Sequence, residues 1–91
     1  ARRGLDVVAD LLLADGTLKV EVGGHTDSRG NETDNQAVSE RRAQEARDYL
    51  VERGVPPSQV SARGYGASRP VAPNLTRTGR ERNRRIDFFV Q

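Results

Sequence analysis

Thr17-Leu18-Lys19-Val20-Glu21-Val22, running into Gly23-Gly24-His25-Thr26-Asp27, is the stretch from which the fold is read. Leu18, Val20 and Val22 alternate with Lys19 and Glu21, the pattern of a strand with one buried face. From Gly23 to Asp34 the sequence turns polar and glycine-punctuated, which predicts a loop. A long helix is expected next, from Asn35 to Arg53, stopped by Gly54 and by Pro56-Pro57. A carboxylate, Asp27, is thereby carried on a loop directly ahead of a helix.

Working outward, Leu5 to Leu13 reads as a short apolar helix closed by the turn Asp15-Gly16. Val60 to Tyr65 reads as a second strand, flanked by Gly64 and Gly66. Residues 67–78, with Pro70 and Pro73, are expected to form a long loop. Thr78 and Glu81 have capping-box spacing, which predicts a helical segment from Gly79 to Asn83. The last strand, Arg85 to Val90, sets Ile86, Phe88 and Val90 on one face. The pattern predicts an α/β (α+β) two-layer sandwich, its helices on one face of a small mixed sheet.

Ninety-one residues suffice for one modest core. Hydrophobic residues at 34% against charged residues at 31% suit a water-soluble domain with a thin core. No apolar run approaches the ~20 residues of a membrane span. Cysteine is absent, which excludes disulfides and thiolate metal sites. A net charge of +2 does not demand a polyanionic partner. Fourteen of the fifteen basic residues are arginine, whose planar fork suits carboxylates better than lysine does.

On the long helix, a step of ~100° per residue groups Val38, Ala43, Ala46, Tyr49 and Leu50 into an apolar sector. Asn35, Ser39 and Arg42 fall inside it, whereas Arg41 points to solvent. A guanidinium on the core face needs a partner. One reading is an internal salt bridge, Asp27 to Arg42, stapling loop to helix. The other is a shared ligand: Arg42 would take a carboxylate, Asp27 an ammonium, and Asn35 and Ser39 neutral hydrogen bonds. Both readings stand, the ion pair being the ligand-free state.

His25 without a second histidine or a cysteine gives little support to a zinc or catalytic site. No catalytic residue, metal or cofactor is expected, and His25 should hydrogen-bond locally. Arg77, Arg80, Arg82, Arg84 and Arg85 raise nucleic acid as an alternative, but Glu81 interrupts them and aromatics are not interleaved. A structural or assembly domain is the third reading. Arg84, at the helix-to-strand junction, can face the same ligand as Arg42.

Val22-Gly23-Gly24-His25-Thr26-Asp27, Gly30, Asn35, Val38-Ser39, Arg42-Ala43, Gly64-Tyr65-Gly66, Gly79-Arg80 and Asn83-Arg84-Arg85-Ile86 together resemble the OmpA-like C-terminal peptidoglycan-binding domain (the OmpA, Pal and MotB family). The match runs in order over nearly the whole chain. The resemblance implies non-covalent binding of the peptidoglycan stem peptide through diaminopimelate, whose side-chain end is a free amino acid. It assigns that group to Asp27 and Arg42, with Asn35 and Arg84 contributing; Thr26 and Ser39 are carried as ligand-binding neighbours. It also implies a bacterial periplasm or envelope location and a membrane-attached parent protein, without nucleic acid as a partner. Family members open with a strand ahead of the first helix, and this chain starts inside that helix. An N-terminally incomplete domain over residues 1–91 is therefore expected, its uncovered sheet edge open to pairing with a second copy.

Overall fold

The computed structural model describes residues 2–91. Its centre is strand β1 (Val20–His25), flanked by β2 (Val60–Gly64) and β3 (Arg85–Val90) in the order β2-β1-β3. β1 runs parallel to β2 and antiparallel to β3, with Val20 opposite both Val60 and Val90. Helices α1 (Arg2–Ala14) and α2 (Glu32–Glu52) cover one face, and α3 (Arg77–Asn83) leads into β3. This is the expected α+β sandwich of helices on a mixed sheet.

The alternation in β1 does what it predicts. Val20 and Val22 are buried under the helices with Ala9, Leu12, Ala43, Ala46, Leu50, Val55 and Val60. The strand does not stop at Val22, however; it continues through Gly23 and Gly24 to His25. The reason is close packing. A Cβ on Gly24 would lie 2.1 Å from the Ser39 carbonyl oxygen of α2, and one on Gly64 2.5 Å from the Glu40 nitrogen. Side-chain-free positions on neighbouring strands let the helix backbone rest on the sheet.

α2 starts at Glu32, three residues earlier than its sequence pattern suggests. Asn31 Oδ1 accepts the Asp34 N–H (2.8 Å), and Glu32 and Asp34 place negative charge in the first turn. At its other end the Val55 N–H returns to the Leu50 carbonyl (3.1 Å), turning the chain toward β2. The cap of α3 is Thr76 rather than Thr78: Thr76 Oγ1 accepts the Gly79 N–H (3.0 Å). The outer edge of β2 is closed by α2, as Arg47 Nε donates to Val60 O (2.8 Å) and Gln36 Nε2 to Gly64 O (2.7 Å).

Two buried amides tie the loops down. Gln59 Nε2 donates among the carbonyls of Leu12, Asp15 and Leu18 (3.0, 3.0 and 2.9 Å), locking the turn between α1 and β1. Asn83 Oδ1 accepts the N–H groups of Val71 and Ala72 (2.8 and 3.1 Å), and its Nδ2 donates to Ala72 O and Asn74 Oδ1. The long loop before α3 is thus pinned from beneath.

Candidate functional site

Asp27 follows β1 by two residues and is 6% exposed. Its Oδ1 accepts the Arg29 N–H (2.9 Å), while Oδ2 pairs with Arg84 Nη1, with Arg29 Nη2 farther off at 3.9 Å. Burial alone would push the Asp27 carboxyl up. The Arg29 N–H, the Arg84 hydrogen bond and the charges of Arg29 and Arg84 outweigh it and hold the carboxyl below its ordinary value. The group is ionised at neutral pH, with its charge matched inside the fold.

The partner is the finding that departs from the helix phase. Arg84, not Arg42, clasps Asp27. Arg42 is exposed, because the buried stripe of α2 runs through Ser39, Ala43, Ala46 and Leu50 and leaves position 42 on its flank. Among the described residues no carboxylate or carbonyl takes its guanidinium. It lies instead along a groove of about 470 Å³ with Leu5, Arg84, Arg85, Ile86 and Phe88. Arg42 and Arg84 share that groove with Arg85, and Arg84 connects it to Asp27.

The remaining predicted residues divide. Asn35 Nδ2 donates to the Asp27 carbonyl (3.4 Å) and is half-buried beside the loop. Thr26 is buried, its hydroxyl donating to the same carbonyl (2.9 Å), so it shapes the loop. Ser39 does not face a ligand. It is fully buried, donating to Gln36 O (2.8 Å) and accepting the Gly66 N–H (2.9 Å), which saturates it as a strut between α2 and the segment after β2.

His25 does not hydrogen-bond locally as expected. It is 1% exposed and stacked on Tyr65 (centroids 5.3 Å apart, 9° between planes), and neither ring nitrogen has a well-formed hydrogen bond. Nε2 lies 3.2 Å from Asp87 Oδ2, close enough for charge attraction but off the hydrogen-bonding line. Burial lowers its pKa, Arg85 and Arg69 add to the fall, and Asp87 opposes it.

The arginines near the C-terminus are largely engaged. Arg77 pairs with Glu81, Arg80 donates to Asn74 O, and Arg85 pairs with Asp87. Asn83 and Asn74 were missed as organisers of the site. Asn74 Oδ1 accepts the Ser28 N–H (3.3 Å), tying the loop after Asp27 to the segment that Asn83 holds. Only the Asn83-Arg84 pairing at a helix-to-strand junction hinted at it.

Fold and clasp define an α+β domain with a sheltered carboxylate, Asp27, next to a groove lined by Arg42, Arg84 and Arg85. The sequence matches the OmpA family over residues 1–84, and the chain belongs to that family. It is 48% identical over 84 residues to outer membrane porin F of Pseudomonas fluorescens, covering 92% of this chain and 26% of the porin. It is 41% identical over 86 residues to the peptidoglycan-binding protein ArfA of Mycobacterium tuberculosis, covering 94% of this chain and 26% of that protein. The chain therefore spans about a quarter of the length of these relatives. The crystal structure of the peptidoglycan-associated lipoprotein from Burkholderia pseudomallei superposes with a TM-score of 0.91 at 31% identity, over 96% of this chain and 74% of that one. These relatives place the chain in the bacterial cell envelope. Among the described residues no helix is long and apolar enough to cross a membrane.

Proposed function

We propose that the chain binds peptidoglycan without covalent chemistry, gripping the free amino-acid end of diaminopimelate in the stem peptide. The observation that carries this reading is the nearly buried Asp27, clasped by Arg84, beside a groove lined by Arg42, Arg84 and Arg85, of which Arg42 has no carboxylate partner among the described residues. Asp27 takes the ammonium and Arg42 the carboxylate. Arg84 releases part of its hold on Asp27 to share the carboxylate, and Asn35 steadies the loop while keeping an edge toward the ligand. The similarity to the peptidoglycan-binding protein ArfA supports the same polymer.

The parent protein is read as a membrane-attached envelope protein that this domain anchors to the wall. Charge-assisted hydrogen bonds contribute about 1.5–3 kcal/mol each, so a single site is of modest strength. Repeated stem peptides raise retention by avidity. Calorimetric titration with meso-diaminopimelate is the test: binding by the wild-type chain is expected, with Asp27→Ala and Arg42→Ala each weakened at least about tenfold, ~1.4 kcal/mol. Arg41→Ala, one residue away on the solvent side and paired with Glu45, should bind as the wild type does. Equal loss in all three, or no heat with the wild type, refutes the reading.

A further inference from the structure

The helices cover one face of the sheet, and the opposite face has a chemistry of its own. There the side chains of His25, Tyr65 and Phe89 lean over Gly23: His25 Nε2, Tyr65 Cε2 and Phe89 Cε2 are the atoms nearest to where its Cβ would stand (3.2, 3.2 and 3.3 Å). Phe89 remains 40% exposed. The Arg63 and Arg69 guanidiniums lie over the same Tyr65 ring, 4.9 and 4.0 Å from its centroid. Strand alternation adds Lys19 to this face.

The face carries two carboxylates, Glu21 and Asp87, against four cations, Lys19, Arg63, Arg69 and Arg85. Glu21 accepts the Tyr65 hydroxyl, and Asp87 pairs with Arg85 beside His25. Lys19, Arg63 and Arg69 are left without a carboxylate among the described residues. Several guanidiniums elsewhere are matched, as in Arg41–Glu45, Arg53–Asp6, Arg77–Glu81 and Arg84–Asp27, whereas Arg42 on the helix side has no carboxylate partner among the described residues. Three cations without a carboxylate partner among the described residues thus share this face with the partly exposed Phe89 ring.

We propose that this outer sheet face docks the domain on a membrane surface rich in anionic lipid headgroups. A plane of phosphates meets a plane of cations, and Phe89 enters the headgroup boundary as interfacial aromatics do. A single-stranded nucleic acid fits less well. It needs successive bare rings for its bases, and Tyr65 is covered by His25 and two guanidiniums, leaving Phe89 alone. α2 and Arg42 lie on the far side of the sheet, so docking leaves the groove beside Arg42 and Arg84 open.

The test is co-sedimentation of the 91-residue chain with vesicles of phosphatidylcholine alone and of phosphatidylcholine mixed with phosphatidylglycerol, at low and high salt. Binding is expected to the mixed vesicles only and to weaken at high salt. The double variant Arg63→Gln/Arg69→Gln should bind them about tenfold less or weaker still, and Phe89→Ser should also bind less. Both arginines are exposed, so circular dichroism should show the double variant folded, and its binding to purified sacculi should match the wild type. Equal binding to both vesicle types, none to either, an unaffected double variant, or tighter binding to single-stranded DNA than to the vesicles overturns the proposal.

Discussion

At Asp27 the decisive matter is which arginine answers the charge. Arg84 does so from a helix-to-strand junction 57 residues along the chain. Replacing it as Arg84→Gln leaves a sheltered carboxylate with only the Arg29 N–H and a distant guanidinium. We expect a loss of about 1–2 kcal/mol in denaturant melts at neutral pH. The same carboxylate gives a pH signature. Its folded pKa lies below the unfolded value of ~3.9, so its contribution is present above that value and is lost as pH falls through the folded one. Wild type and Asp27→Asn should therefore differ in thermal midpoint near pH 7 and converge in strong acid; a constant gap at all pH would refute the assignment. The sequence showed Asp27 but not its partner. Counting around a helix locates a stripe, and a long residue on the flank of that stripe, such as Arg42, falls on either side of it by a small rotation. Ser39 misled for the opposite reason: it is polar and on the stripe, and the backbone groups that satisfy it come from elsewhere in the chain.

Among the elements, α2 is seated on the sheet by backbone contact, and this yields a pair of substitutions with opposite signs. Gly24→Ala drives a methyl group into the Ser39 carbonyl, 2.1 Å away, and backbone cannot step aside cheaply. A loss of at least about 2–3 kcal/mol is expected in denaturant unfolding. Gly4→Ala makes the same chemical change on α1, where nothing among the described residues lies within 4 Å. It should gain about 0.5–1 kcal/mol from helix propensity. If both lose stability, the close approach of α2 is not what Gly24 serves. The kinds of element were legible because hydrophobic period separates strand from helix. Their ends were not, since caps decide them: Asn31 opens α2 ahead of its apolar pattern, and Thr76 rather than Thr78 opens α3. The strand reading stopped at the first glycine because glycine weakens an isolated strand, whereas here it admits a helix.

Across the whole molecule, strand order was the part that local patterns could not supply. β1 takes a parallel neighbour on one side and an antiparallel one on the other, a choice made by long-range pairing. That pairing also brings together His25 of β1, Tyr65 just beyond β2 and Asp87 of β3, so one imidazole reports on the assembly of all three strands. His25 is held neutral by burial, with Arg85 and Arg69 reinforcing the effect and Asp87 working against it. Its folded pKa lies below the unfolded value of ~6.5, so as pH falls under that value the unfolded chain takes up the proton first. Stability is full above ~6.5 and drops as pH falls toward the folded value. Thermal melts from pH 7.5 down to pH 5 should therefore show a falling midpoint for the wild type. His25→Phe keeps a ring against Tyr65 and Phe89 but cannot bind a proton, so its midpoint should stay level over the same range. A wild-type midpoint that is flat there, or a His25→Phe midpoint that falls in parallel with it, would mean that the acid response arises elsewhere and that the buried imidazole does not couple the three strands to pH.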